Sequence, residues 1–532
     1  MKNKIAIYDT TLRDGSQGEG ISFSPRAKIS LAKRLDEFGI DYIEGGFPGS
    51  NPKDMEFFKA IRQVEFSHAK VAAFGSTRRA RSSVKEDPIV QGLLAAETPV
   101  VTIFGKSWKM HVQDVLRTSL KENLAMVSDT VSYLKEQGKE VFFDAEHLFD
   151  GYKDDPDYTM NVLEAALAAG ADCLVLCDTN GGCLPHEIYQ ITKTVVDSLG
   201  AAVGIHAHND CGMAVANSIE AVRAGAVQVQ GTINGYGERC GNANLISIMP
   251  TLKLKLKSKC GSRRKMRNLR ALSMFTDDLI NRRHDNRAPY VGRSAFSHKG
   301  GAHVNAVQKN PATFEHIDPE VVGNERHVLV SELSGGSNVL LKAVEMGLGK
   351  DIESKEERAR ILKALKDLEH KGYAFESADA SFRILVQKVL KKHKPFFELE
   401  GFRVTVEKPG KNLPCISEAT VKINVNGVQE HTVAEGDGPV NALDGALRKA
   451  LKSFYPEISN VHLADYRVRI LDPEEATAAT TRVQIESGDG KNSWGTVGVS
   501  ENIIEASWEA LVDSVEYKLF DEESKKKKKS KK

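Results

Sequence analysis

The sequence predicts an α/β protein: a (β/α)8 TIM barrel, then a helical linker region, then a C-terminal α+β domain of two βββα units. Three observations carry that reading. Short apolar runs alternate with polar loops and helix-period segments over the first half of the chain. A charged, mostly helical stretch follows. Residues 400–520 then repeat three strand-like runs and a helix twice, a period of roughly 60 residues. The expected division is 1–260 for the barrel, 261–398 for the linker and 399–522 for the α+β domain, with a disordered lysine-rich tail over 523–532.

The barrel runs lie at 5–8, 42–43, 71–74, 100–104, 141–143, 173–177, 203–205 and 227–229. Their unbroken apolar character suits parallel strands buried on both faces. Helix-period segments separate them, for example at 25–38, 116–136 and 214–224. A doubly wound sheet is the competitor, but its GxGxxG fingerprint is missing after the first run. That run ends instead in Asp9-Thr10-Thr11-Leu12-Arg13-Asp14-Gly15. In the linker, 269–281 and 356–370 have amphipathic periodicity and flank a loop, Ser297-His298-Lys299-Gly300-Gly301-Ala302-His303. In the last domain, strands are expected at 402–407, 419–425 and 429–433 before a helix at 439–454. The second unit has strands at 461–471, 481–487 and 493–499 before a helix at 503–520.

Among 532 residues, 73 are basic and 72 acidic, a net charge of +1, without the basic excess of a nucleic-acid partner. No run of 18 apolar residues exists to span a membrane. Met1-Lys2-Asn3-Lys4-Ile5 leads into a strand without an apolar signal region. The seven cysteines form no CxxC pairs and read as reduced thiols, so a cytoplasmic location is expected.

Barrel enzymes place their chemistry at the C-terminal ends of strands. Four ends here carry polar clusters: Arg13-Asp14, Asp144-Ala145-Glu146-His147, Asp178-Thr179-Asn180 and His206-Ala207-His208-Asn209-Asp210. His206 and His208 point to one face of a strand, so they either chelate a metal or form a structural pair. Asp14 adds a carboxylate, and Asn242, in the loop after the eighth run, adds an amide oxygen. Together these favour a divalent cation: Mg²⁺, Mn²⁺ or Zn²⁺. A non-haem iron oxygenase would use a similar set, but the jelly-roll pattern usual there is absent. Arg13 beside Asp14 suits an oxyanion or a substrate carboxylate, with Glu44 holding its rotamer. Thr179 offers a hydroxyl to a substrate carboxylate or caps the next helix. Glu146 is an acid, a base, a support for the metal or a rim hydrogen-bonder. Phe104 and Phe143 either narrow the pocket or belong to the ordinary barrel core.

Asp9-Thr10-Thr11-Leu12-Arg13-Asp14-Gly15-Ser16-Gln17, His206-Ala207-His208-Asn209-Asp210 and the Gly-Glu-Arg-x-Gly-Asn-Ala loop at 237–243 together resemble the DRE-TIM metallolyase superfamily. The repeat at 400–520 is similar to the regulatory domain of its 2-isopropylmalate synthase/homocitrate synthase family. Gly15-Ser16-Gln17-Gly18-Glu19-Gly20, residues 142–151 and His316-Ile317-Asp318-Pro319 are most similar to the citramalate-forming branch. The resemblance implies that Asp14, His206, His208 and Asn242 bind the metal. It implies oxyanion stabilisation by Arg13 with Glu44, carboxylate binding by Thr179, and catalytic roles for Glu146 and His303, the latter brought to the barrel mouth by the linker. Relatives often have a tyrosine shortly after that histidine, where this chain has Phe314.

The activity implied is condensation of acetyl-CoA with pyruvate and hydrolysis of the product thioester, serving isoleucine synthesis. The alternatives are a 2-oxoisovalerate acceptor for leucine synthesis, a 2-oxoglutarate acceptor, or the reverse cleavage by a hydroxyacyl-CoA lyase. A homodimer is expected, with His303 of one chain approaching the other's barrel. Gly436-Asp437-Gly438, ahead of a helix N-terminus that can hold a carboxylate, is the expected site of an isoleucine or leucine effector.

Overall fold

Each of the eight apolar runs becomes a parallel strand. β1 (Ala6–Asp9), β2 (Tyr42–Glu44), β3 (Lys70–Ser76), β4 (Val100–Lys106), β5 (Glu140–Glu146), β6 (Cys173–Asp178), β7 (Val203–Ala207) and β8 (Gln228–Gly231) pair in that order. β8 pairs back to β1 and closes the barrel. This computed structural model describes residues 4–260, 265–329, 340, 342–344, 348, 352, 354–472, 479–490 and 492–529. Inside the barrel, Tyr8, Ala72, Val100, Phe142, Cys173, Val175 and Cys177 form a packed plug. A larger core lies between the strands and the surrounding helices.

Several helices begin where the sequence writes a cap followed by proline. Ser24, Asn51, Asp87 and Asp155 accept a backbone N–H at the starts of α1 (Pro25–Phe38), α2 (Pro52–Ile61), α3 (Pro88–Ala95) and α6 (Pro156–Ala168). α4 starts at Leu120 rather than 116, because Arg117 is left-handed (φ 53°) and Ser119 provides the cap. A π-helical turn, His111–Val115, fills the space before it. α5 (Leu148–Asp154), α7 (Pro185–Leu199) and α8 (Ala214–Ala224) complete the outer ring.

The chain divides into two compact units. The first is 1–296 with 317–326, and the second is 297–316 with 327–532. The linker expected over 261–398 is therefore split rather than forming a region of its own. After α9 (Leu245–Pro250), α10 (Leu269–Leu279) buries Leu269 and Leu272 in the barrel's core, and Tyr290, Val291 and Phe296 join them. The second unit begins with β9 (Ser297–His298), paired to β10 (His327–Val328), and α11 (Gly301–Lys309). Then come α12 (Lys355–His370) and α13 (Asp379–Val389).

Two antiparallel sheets follow. β11 (Glu398–Glu407), β12 (Ile416–Val425) and β13 (Val428–Gly436) precede α14 (Pro439–Leu451). β14 (His462–Ile470), β15 (Thr481–Gly488) and β16 (Ser493–Ser500) precede α15 (Ile503–Lys529). The repeat extends to detail: each first strand carries an irregularity near its start, at Leu399/Gly401 and at Leu463/Asp465. One core joins both units of the repeat, with Val421 and Ile423 beside Val483 and Ile485 under the two helices. Another joins α12 and α13 to Val497 of β16.

The lysine-rich tail departs from expectation. α15 continues through Lys529, so 523–529 are helical rather than disordered; 530–532 lie outside the described residues. Lys525 pairs with Asp521 one turn back at 2.7 Å, and Lys526 reaches Glu457 at 2.7 Å. Those acidic partners offset the repulsion of the lysine run. Among the described residues no helix is long and apolar enough to cross a membrane.

Candidate active site at the barrel mouth

The loop after β1 is built by Asp9. Its carboxylate accepts from Thr11 N at 3.1 Å and from Thr11 Oγ1 at 2.8 Å. Thr11 Oγ1 accepts from Ile233 N at 2.8 Å, which ties the loop after β1 to the loop after β8. Burial raises the Asp9 carboxyl to about 7. Arg13 and Asp14 follow this locked turn and line a cavity of about 540 Å³. Asp144, Glu146, Thr179, His206, His208 and Arg239 line the same cavity.

Arg13 donates from Nε to Glu44 Oε1 at 2.6 Å and from Nη1 to Asp14. Its guanidinium carbon sits 3.7 Å from the centre of the Phe74 ring. Burial opposes the charge on Arg13, but Asp14 and Glu44 outweigh it and hold the guanidinium more firmly protonated than usual. Glu44 is fully buried and also accepts from Tyr8 OH at 2.6 Å. Burial raises its carboxyl despite the pull of Arg13. Burial likewise opposes ionisation of Asp14, yet Arg13, His206 and His208 together hold it below the ordinary carboxylate range.

His206 and His208 fall on one face of the strand end, with ring centres 5.3 Å apart. His206 Nδ1 meets Gln230 Oε1 at 2.8 Å. That carbonyl can only accept, so Nδ1 carries a proton and Nε2 is the nitrogen turned toward Asp14. Nε2 lies 3.3 Å from Asp14 Oδ2. Asn242 Nδ2 donates to Asp14 Oδ2 at 3.0 Å and lies 3.3 Å from His206 Nε2. Burial, then His206, lowers His208 to about 4, which keeps its imidazole neutral.

As the side chains stand, no three His, Cys, Asp or Glu groups converge on one point among the described residues. The donor chemistry nevertheless fits a cation. His208 Nδ1 and Asn242 Oδ1 are buried without a hydrogen-bond partner, and His206 Nε2 faces Asp14. Turning over the Asn242 amide exchanges Nδ2 for Oδ1 beside Asp14 and His206, giving two oxygens and an imidazole nitrogen around one point. Gly237, at φ 157°, makes room for this amide, since a side chain there would collide with Asn242 Oδ1.

The other expected residues divide. Glu146 reaches the cavity and is ion-paired with Lys106, directly opposite it in the β4–β5 register. Thr179 Oγ1 accepts from His147 N at 2.9 Å, and its carbonyl accepts from Arg239 Nη2 at 2.8 Å. Phe104 lines the cavity, whereas Phe143 is fully buried in the outer core. His303 lies in the second unit, exposed on α11 with its ring 4.2 Å from Phe314, and is not among the cavity residues. Gly436 ends β13, Gly438 caps α14, and Asp437 N donates to Asn441 Oδ1 at 3.2 Å.

Sequence reading gave no role to Asp144 or Gln230. Asp144 is two residues before Glu146 on the inward face of β5, and accepts from Gln230 Nε2 at 3.1 Å. Burial, then Glu44, pushes its carboxyl well above the usual carboxylate range. Gln230 thus links Asp144 to His206. Period-two alternation marks both side chains as inward-facing, but not as partners.

The HMGL-like family model matches residues 4–274, just over half of the chain. The chain belongs to the HMGL-like family. The matched stretch of this HMGL-like protein contains every cavity residue named above. Residues 290–372 match the homocitrate synthase post-HMGL domain-like model, and 376–519 match the LeuA allosteric (dimerisation) domain. Among relatives, the chain is 54% identical over 519 residues to the (R)-citramalate synthase of Geobacter sulfurreducens, covering 98% of each. It is 55% identical over 524 residues to that of Aquifex aeolicus, covering 98% of this chain and 99% of the relative. A probable 2-isopropylmalate synthase of Methanopyrus kandleri is 34% identical, over 97% of this chain and 98% of that protein. The similarity therefore runs through both units of the HMGL-like chain.

Proposed function

We propose that this chain condenses acetyl-CoA with pyruvate and releases (R)-citramalate and CoA. End-to-end identity of 53–55% with three (R)-citramalate synthases carries this reading. The constellation at the barrel mouth supplies the chemistry. The methyl group of acetyl-CoA loses a proton, its carbon bonds to the keto carbon of pyruvate, and the keto oxygen takes up a proton. Water then cleaves the thioester.

Asp14, His206, His208 and Asn242 would hold a divalent cation, Mg²⁺ or Mn²⁺ before Zn²⁺. When bound, it supplies Lewis-acid polarisation of the 2-oxo acid. Arg13 already has two groups pinned by Glu44 and Asp14, so its guanidinium is preorganised for oxygen charge that grows during bond formation. Thr179 donates a hydrogen bond from its hydroxyl to the acceptor carboxylate. Lys106 holds the Glu146 carboxylate at the cavity wall for proton transfer. Phe314 brings no hydroxyl, so the family's histidine at 303 acts without a phenol beside it, and it reaches the mouth of the partner's barrel in a homodimer.

The dimer reading has its own support. On the edge strands β11 and β14, Val406, Val468 and Ile470 share the inward register of their sheets yet remain 52%, 43% and 55% exposed. A second copy would cover them. The match to an allosteric domain supports an effector site in the second unit; we place an amino acid, isoleucine before leucine, near Gly436-Asp437-Gly438.

A CoA-release assay against a panel of 2-oxo acids tests the function. Pyruvate should give the highest kcat/KM, and activity should vanish on chelation and return with Mg²⁺ or Mn²⁺. A higher kcat/KM for 2-oxoisovalerate would reassign the acceptor.

A further inference from the structure

The run Asp144-Ala145-Glu146-His147 ends in a residue for which the roles above have no use. β5 passes into α5 through His147, whose backbone is left-handed, at φ 57° and ψ 33°. Non-glycine residues rarely take that conformation, and no side-chain cap compensates for it here. The turn directs the His147 N–H to Thr179 Oγ1 at 2.9 Å.

The imidazole is held from three sides. Its ring lies 4.2 Å from His111 and 5.8 Å from Trp108, both in the segment after β4. Its Nδ1 is 3.4 Å from Asp150 Oδ2 in α5. Asp150 accepts from Asn180 Nδ2 at 2.9 Å, beside Thr179 after β6. Trp108 stacks on His111 and donates Nε1 to Asp154 at 3.0 Å. Gly151 allows α5 to seat here, because a Cβ would lie 2.7 Å from Ser107 O and 3.0 Å from Trp108 Cα.

We infer that His147 is a positioning residue for the 2-oxo acid: its left-handed backbone N–H fixes the Thr179 hydroxyl so that the hydroxyl's proton is offered to the acceptor carboxylate. A hydroxyl has one proton and two lone pairs. With one lone pair occupied by His147 N–H, and the Thr179 carbonyl held by Arg239, the rotamer is set and the proton stays available to the cavity. The side-chain contacts of His147 serve to keep the backbone in its unfavourable conformation. This inference rests on the role proposed for Thr179.

Steady-state kinetics of the full-length chain test it. His147→Val disfavours the left-handed backbone, and should raise the KM for pyruvate about tenfold, the worth of one well-placed hydrogen bond. The KM for acetyl-CoA should not move. His147→Gly and His147→Asn tolerate the conformation and should restore the pyruvate KM, although glycine has no imidazole. Equal impairment by glycine and valine, or none by either, overturns the inference. If the valine variant does not fold, His147→Ala replaces it, and an alanine variant no worse than glycine overturns the inference in the same way. Thr179→Val separates the two layers. An unchanged pyruvate KM there removes the role of Thr179 and this inference with it. A raised KM there, with all His147 variants unaffected, removes the inference alone. In the double variant His147→Val/Thr179→Val, the pyruvate KM should match that of Thr179→Val, since the two act through one contact.

Discussion

Gln230 does for His206 what no barrel-mouth ligand can do for itself. By accepting from Nδ1–H it turns Nε2 toward Asp14 and Asn242. Such outer partners are worth about 10–100-fold in metal affinity. Gln230→Leu should therefore weaken Mn²⁺ binding, read by titration calorimetry, by about that factor. Asp14→Ala, which deletes a proposed ligand, should abolish detectable binding while circular dichroism stays unchanged in both variants. A Gln230→Leu protein with wild-type Mn²⁺ affinity would remove this role. The gathering of Arg13, Asp14, His206, His208 and Asn242 was legible because short motifs put polar side chains at strand ends and in the loop after β8. The partnership of Asp144 and Gln230 was not, because it spans 86 residues of sequence and exists only once the barrel closes.

At the scale of the element, the loop that carries Asn242 is anchored by α10 and the turn after it. Tyr236 OH donates to Asp277, and Asn234 Nδ2 reaches the same carboxylate at 2.7 Å. His284 Nδ1 meets the other carboxylate oxygen at 2.6 Å. The hydrogen bond to Asp277 raises the His284 pKa above its ordinary value. The charged imidazole therefore favours the folded state. Its contribution is complete below the unfolded pKa of about 6.5 and is lost as pH rises through the higher folded value. Denaturant midpoints should fall over that interval in the wild type, and the fall should be shallower in His284→Gln. Identical pH profiles for the two proteins would contradict the assignment. Most elements were readable from caps and periodicity, α1 and α8 to the residue. The start of α4 was not, since a left-handed arginine leaves no mark in an amphipathic pattern. Nor was the helical tail, whose lysines pair with Asp521 and with Glu457, 69 residues away from Lys526.

For the whole molecule, the decisive experiment joins two chains. Inactive His303→Ala and inactive His206→Ala subunits should regain activity when mixed, towards about one quarter of wild type in a random dimer, since each mixed pair has one complete site. No recovery after verified subunit exchange would rule out a histidine acting across the dimer. Isoleucine should bind the full dimer in calorimetry and lower its rate by a coupling of about 1–3 kcal/mol, equal in both directions for binding. Architecture at this scale was legible as barrel, linker and repeat. The fate of the linker was not, because amphipathic helices announce a buried face without naming the surface that buries it.

The division of that linker bears on how the protein can be cut. The polypeptide passes from one unit to the other three times, near residues 296, 316 and 326. Neither half is a cassette, since no single scission releases one from the other. A deletion after residue 395 would also strip Val497 from the core it shares with Ile361, Leu365 and Phe382. Such a truncation would open a hydrophobic wound in α12 and α13 rather than expose a finished surface. A portable barrel would have to discard 297–316 and everything after 326, with a new splice closing 296 onto 317.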